Sequence, residues 1–240
     1  MQRDRSRGSY EPRTYNVRAL LWRRERNSGV GCVPELPRRR RSQGVGVASG
    51  DVMGCVPRRR PTVQPDSGEV LLVGCEGSGK TLLARHLQRM CDKDVEAGLD
   101  VRTKPSVGTE LSHLAHKRRA FTLREVGGIM LPLWPRYFDA CNALVFVADT
   151  SDAAASGGAV IEWYNLLADA RLQSKPALLL FNQRDRAQAL PDMTLRMLFR
   201  LSELESIGRE RAVTVLPVSA LTGEGLSAVL DWIVKHAVVR

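Results

Sequence analysis

From Glu69 onward, apolar positions along the chain follow two alternating spacings. Short, nearly continuous runs, EVLLVG (69–74), AFTLREV (120–126), ALVFVAD (143–149), PALLLFN (176–182) and AVTVLPVS (212–219), have the length and side chains of buried strands. Between them lie Thr81–Cys91, Gly158–Arg171, Thr194–Ile207 and Gly225–Val238, where apolar residues recur every three or four positions and predict helices. Strands that alternate with helices build parallel βαβ units, so a layered α/β fold is predicted. LSHLAHKRRAFTLREV (111–126) reads as a local hairpin that adds one antiparallel strand.

Residues 1–68 show no such periodicity. They are rich in Arg, Gly, Pro and Ser, with arginine runs at 38–41 and 58–60, and disorder is expected because so little apolar surface offsets chain entropy. These residues hold 15 arginines, no lysine and 6 acids, whereas residues 69–240 hold 21 basic and 20 acidic residues. The net charge of +10 therefore belongs to the tail, and the chain divides into a basic extension (1–68) and one globular domain (69–240). With hydrophobic residues at 43% of 240, that domain can bury a full core. Five cysteines without paired spacing indicate reduced thiols and a cytoplasmic protein. His113 and His116 form an isolated HxxH without a third ligand nearby, and ordinary roles are expected for both. No apolar run is long enough to span a bilayer, and no signal-peptide core opens the chain.

Gly74-Cys75-Glu76-Gly77-Ser78-Gly79-Lys80-Thr81 satisfies GxxxxGK[ST] and lies between a strand and a helix, where a phosphate-binding loop must lie. Its main-chain N–H groups can wrap phosphate oxygens while the positive end of the following helix adds attraction. Lys80 then reaches the β- and γ-phosphates and the Thr81 hydroxyl reaches Mg²⁺. Asn182-Gln183-Arg184-Asp185 follows another strand at the carboxyl edge of the sheet, where open α/β sheets bind ligands. A carboxylate such as Asp185 can accept both the N1–H and the exocyclic amino group of guanine, an arrangement adenine does not offer. Ser219-Ala220, after the next strand, can present a main-chain N–H to the guanine carbonyl.

These motifs, GCEGSGKT, PSVGTEL, REVGG with the following PLW, NQRD and VSAL, occur in the order of the nucleotide motifs of small GTPases. Over residues 69–240 the chain resembles the ADP-ribosylation-factor branch. The resemblance implies a P-loop small-GTPase fold, with a mostly parallel six-stranded sheet and helices on both faces. It implies GTP or GDP and Mg²⁺ as ligands. It also implies roles in switch loops: Ser106 and Glu125 toward Mg²⁺, the latter through water, and Gly127 and Gly128 toward the γ-phosphate. Loop ordering by the γ-phosphate would make the protein a molecular switch.

Several positions depart from the family pattern. Ser106 and Glu125 replace the usual Thr and Asp, and Gln183 replaces the Lys that packs over the base, which is expected to weaken guanine affinity. Ile129 stands where a Gln orients the attacking water, so no catalytic residue is assigned and slow intrinsic hydrolysis is expected. Packing of Ile129, Met130 and Leu131 into the core is a compatible expectation. The three effector-facing aromatics of the family match Thr109, Arg124 and Tyr137. Trp134, Tyr137 and Phe138 are read either as an apolar patch for another partner or as core.

Met53-Gly54-Cys55, followed by three arginines, would offer an acylation site if translation began at Met53, although Arg58 stands where the motif prefers Ser or Thr. Otherwise the basic tail offers peripheral membrane contact by charge alone, and no specific nucleic-acid binding is expected. A monomeric GTP-binding switch with unnamed effectors and regulators is the leading reading. The alternative is a non-hydrolysing, GTP-loaded scaffold, and a P-loop kinase or ATPase is disfavoured by Asn182 and Asp185.

Overall fold

The computed structural model describes residues 13–15, 68–92, 99–206 and 213–237. Within them the strands are β1 (Arg13–Tyr15), β2 (Gly68–Val73), β3 (Thr109–His116), β4 (Arg119–Val126), β5 (Ala143–Asp149), β6 (Ala177–Asn182) and β7 (Val213–Pro217). The helices are α1 (Lys80–Cys91), α2 (Ala153–Ala168), α3 (Asp192–Leu198), α4 (Leu201–Ser206) and α5 (Leu226–His236). All strands join one sheet in the order β1-β7-β6-β5-β2-β4-β3. Pairings of β4, β2, β5, β6 and β7 are parallel, and β3 joins β4 antiparallel as the hairpin predicts. The hairpin turns through Lys117 and Arg118, both at positive φ (49° and 64°), the twist that two-residue turns need.

Six strands are the expected ones. The seventh, Arg13–Tyr15, lies antiparallel to Val213–Val215 at the edge that β7 would otherwise leave open. No periodicity in the sequence signals it, because three residues carry no pattern. Unpaired edge groups supply the hydrogen bonds instead. Gly68, the last residue of the expected tail, opens β2, and the acylation segment at 53–60 and the remainder of the tail fall outside the described residues.

Because successive strand residues face opposite ways, the parallel strands feed two cores. Val70, Leu72, Val145, Leu178 and Leu180 pack under α1 and α5, meeting Leu83, Leu87, Val229, Leu230 and Ile233. Leu71, Val73, Leu144, Phe146 and Leu179 face the other way, onto α2, α3 and the segment 128–138. Trp134, Phe146 and Trp163 form an aromatic chain there, with ring centroids 6.4 and 5.6 Å apart.

Two helix boundaries differ from the sequence reading. α2 begins at Ala153 and not Gly158, since Asp152 caps it by accepting the Ala155 N–H at 2.8 Å. The helix expected over 194–207 is broken, with α3 and α4 separated at Phe199–Arg200, where Arg200 has φ 46°. Phe199 is fully buried against Phe181, centroids 5.1 Å apart, so core packing fixes the break.

Candidate nucleotide-binding site

β2 pairs with β4 on one side and β5 on the other, so the chain leaves it in both directions and opens a crevice at its carboxyl end. Gly74–Gly79 fills that crevice and runs into α1. Lys80 is buried, and its ammonium folds back to donate to Gly74 O (2.9 Å) and Cys75 O (2.8 Å), with Ser78 Oγ at 3.4 Å. Burial pulls its pKa below the usual lysine range, against the opposing pull of Glu125. A cation held this way gains from an anion entering the loop.

Three oxygen donors from distant segments converge beside it. Thr81 donates its hydroxyl proton to Glu125 Oε1 at 2.6 Å, and Ser106 Oγ lies 3.0 Å from Thr81 Oγ1 and 3.5 Å from Glu125 Oε1. Glu125 is only 3% exposed, and burial raises its pKa despite the Thr81 hydrogen bond and the Lys80 charge. Two hydroxyls and a buried carboxylate are the hard donors that Mg²⁺ takes, and a divalent ion would relieve the desolvated carboxylate. Thr81, Ser106 and Glu125 therefore fit the ion that the resemblance implies.

The paired glycines close over this corner. A Cβ on Gly127 would come within 2.1 Å of Ser106 O, and one on Gly128 within 2.3 Å of the Glu76 main-chain N. Gly127 donates to Gly108 O at 3.1 Å and accepts from Met130 N at 3.0 Å and from the buried Trp134 Nε1 at 3.3 Å. Gly127 thus meets the 106–108 loop, and Gly128 the phosphate loop, main chain to main chain. The cavity they enclose, about 180 Å³, is lined by Glu76, Gly77, Gly79, Lys80, Thr81, Ser106, Glu125, Gly128 and Ile129. Thr103, Lys104 and Pro105 line it too. The sequence reading assigns no site role to Thr103 or Lys104, and Pro105 enters it only as the first residue of PSVGTEL.

Ile129 corrects one expectation. It is 54% exposed at the cavity, while Met130 and Leu131 alone pack against the core. It lies on the 3₁₀ segment Gly128–Tyr137, which is kinked at Met130 and carries prolines at 132 and 135, so no regular period assigns its side. Of the two readings of Trp134, Tyr137 and Phe138, core packing holds for two of the three. Trp134 and Phe138 are buried at 2% and 3% exposure, because both rings complete the core under α2. Tyr137 is half-buried beneath the Arg124 guanidinium, 5.1 Å from its ring centroid, and Arg124 forms a two-point ion pair with Glu69 at 2.6 and 3.0 Å.

At the base end, Asn182 is buried and spans two loops. Its amide donates to Ser78 O at 2.7 Å and its carbonyl accepts from Ala220 N at 2.9 Å. Of the main-chain N–H groups that the Ser219–Ala220 loop is expected to offer guanine, that of Ala220 donates to Asn182 and that of Ser219 to Glu224 O at 3.0 Å. Asp185 is exposed, and Ser219 Oγ donates to its Oδ1 at 2.6 Å, which fixes one oxygen. Gln183, at φ 65°, donates to Gly77 O (3.0 Å) and Asp149 Oδ2 (2.7 Å), so it still bridges the base loop to the phosphate loop. His113 and His116 face Thr122 (3.1 Å) and Asp231 (3.2 Å), and among the described residues no three His, Cys, Asp or Glu are grouped to hold a metal.

A phosphate loop, a hydroxyl–carboxylate corner and an Asn/Asp base loop on this sheet define a P-loop guanine-nucleotide protein of the small-GTPase class. The ADP-ribosylation factor family model matches residues 61–237, and the chain belongs to that family. It is 34% identical over 168 residues to human (Homo sapiens) ADP-ribosylation factor-like protein 16, covering 69% of this chain and 84% of that one. It is 29% identical over 167 residues to ADP-ribosylation factor-like protein 1 of Saccharomyces cerevisiae, covering 69% and 85%. Its fold is similar to that of the Arl6 BBS3 small GTPase from Trypanosoma brucei with bound nucleotide analogue GppNp. The TM-score is 0.59 at 22% identity, over 70% of this chain and 96% of that one. The chain is thus an ADP-ribosylation-factor-like small GTPase, a GTP-binding switch. Among the described residues no helix is long and apolar enough to cross a membrane.

Proposed function

We propose that this protein is a Mg²⁺- and GTP-dependent switch whose intrinsic hydrolysis is slow, and which relies on a partner to complete the hydrolytic site. The observation that carries this reading is Ile129, exposed at the phosphate cavity where a water-orienting amide would be needed. An sec-butyl side chain neither donates nor accepts a hydrogen bond, so it cannot align water for in-line attack. Lys80 and the 74–79 loop hold phosphate, while Thr81, Ser106 and Glu125 hold Mg²⁺, which when bound neutralises phosphate charge. Gly128 senses the γ-phosphate, and Asn182, Asp185 and the Ser219–Ala220 turn select guanine. Residues 69–240 form the switch domain, and residues 1–68 offer a basic segment to an anionic membrane surface.

The effector surface differs from a cluster of aromatics, since Arg124 is tied to Glu69 and covers Tyr137. Partners of this surface are expected to read polar groups there. Nucleotide released from the purified protein, identified by chromatography, followed by single-turnover hydrolysis, tests the reading. Guanine nucleotide that turns over slowly without a partner supports it. Adenine nucleotide, or fast unassisted hydrolysis, overturns it. Complete absence of turnover with every added partner would favour a permanently GTP-loaded scaffold.

A further inference from the structure

His86 lies on α1, one and a half turns beyond the phosphate loop, and no nucleotide motif includes it. Its Nδ1 stands 3.0 Å from the carbonyl oxygen of Ala220. A carbonyl only accepts, so Nδ1 carries the proton, and the bond persists whether the ring is neutral or charged. The ring also packs against the turn that follows: a Cβ on Gly223 would come within 2.7 Å of His86 Cε1 and 2.9 Å of Nε2. With φ 85°, Gly223 is doubly constrained to glycine.

These contacts close a ring of hydrogen bonds through both ends of the site. Ser78 accepts from Asn182, Asn182 accepts from Ala220 N–H, and Ala220 O accepts from His86, whose helix starts from the phosphate loop. The same turn orients the base-reading carboxylate, because Ser219 donates to Asp185 and Gly223 N–H donates to Ser219 O at 2.9 Å. Apart from Gly223 to Ser219, each link crosses between segments far apart in sequence, and Asn182 and Ala220 are both buried.

We infer that His86 is a positioning residue for guanine recognition: through Ala220 it fixes the Ser219–Gly223 turn, and with it Asp185, relative to the phosphate loop. This rests on the guanine-nucleotide reading above. Removing the donor frees the turn, so nucleotide leaves faster and the contact to the 2-amino group of guanine weakens. A residue that only supported the fold would change release of all nucleotides alike.

The test measures release of fluorescent GDP and of fluorescent IDP, which lacks the 2-amino group, from the full chain. His86→Ala and His86→Leu remove the donor. His86→Asn keeps an N–H near the position of Nδ1. Release of GDP is expected to rise about fivefold in the donor-less variants, the scale of one hydrogen bond. The preference for GDP over IDP should narrow in both, and His86→Asn should restore both properties. Unchanged release, an unchanged GDP-to-IDP ratio, or failure of His86→Asn to restore it overturns the role of His86 alone. A wild-type chain that takes up no guanine nucleotide overturns the nucleotide reading and this inference with it.

Discussion

Thr81 and Glu125, 44 positions apart in sequence, meet at 2.6 Å with the threonine hydroxyl donating to a carboxylate that is almost wholly buried. Glu125, near the end of β4, thus reaches the first turn of the helix that follows the phosphate loop. Glu125→Gln keeps the size and removes the charge. It is expected to weaken Mg²⁺ affinity about 10- to 100-fold, the range seen when groups around a metal ligand are lost. Titrating Mg²⁺ against the rate of fluorescent GDP release measures this. An unchanged Mg²⁺ dependence would remove Glu125 from the metal corner.

Ile129→Gln supplies the missing amide at the cavity. Single-turnover GTP hydrolysis should rise by at least about tenfold if the position alone limits water alignment. Because Ile129 is exposed, folding stability should be unchanged within about 0.5 kcal/mol.

Gly128→Ala places a methyl group 2.3 Å from the Glu76 main-chain N, a distance no side-chain relaxation can relieve. The switch segment must then lift from the phosphate loop. GTP and GDP should bind with nearly equal affinity in this variant, since the γ-phosphate contact is lost while the base and β-phosphate contacts remain. A retained preference for GTP-specific closure, read by Trp134 fluorescence, would show that the close approach is dispensable.

Trp134→Ala empties a site at 2% exposure that touches Phe146 and donates to Gly127 O. A loss of about 3–5 kcal/mol is expected in denaturant unfolding, because a large ring leaves a cavity that the sheet cannot collapse to fill. Loosening of the 127–134 segment should accompany it as faster amide exchange at Met130, whose N–H donates to Gly127 O.

Burial holds the His236 imidazole below its ordinary pKa near 6.5, and the Lys235 charge adds to the effect. The unfolded chain therefore takes up a proton at a higher pH than the folded one. The stability this neutral ring contributes is present above pH 6.5 and is lost as the pH falls through that value toward the depressed folded pKa. Thermal unfolding between about pH 7.5 and 5.5 should show the decline. His236→Phe, which keeps the stack on Trp232 (centroids 4.9 Å), should flatten it.

Much of the site was legible because its chemistry is carried by local motifs. Gly74–Thr81 needs its residues consecutive, since one loop must supply all the N–H donors and the lysine. Asn182 to Asp185 is equally compact. Ile129 illustrates the limit: its identity was readable, but whether it faced core or cavity was not, because it lies on an irregular segment with no period to assign its side. Trp134 and Phe138 show the converse, since an apolar residue on an irregular segment has no periodicity to assign its side.

The sequence by itself determined the order of β2 to β7 and of the helical stretches between them, the phosphate and base motifs, and the division of charge between residues 1–68 and 69–240. These follow from hydrophobic period, turn chemistry and composition, all of which are local. Only the tertiary structure decided that Thr81, Ser106 and Glu125 converge within 3.5 Å, that β1 closes the β7 edge, and that His86 reaches Ala220 across 134 positions. Such contacts depend on how sheet order and helix packing bring distant segments together, and residue spacing along the chain does not encode that geometry.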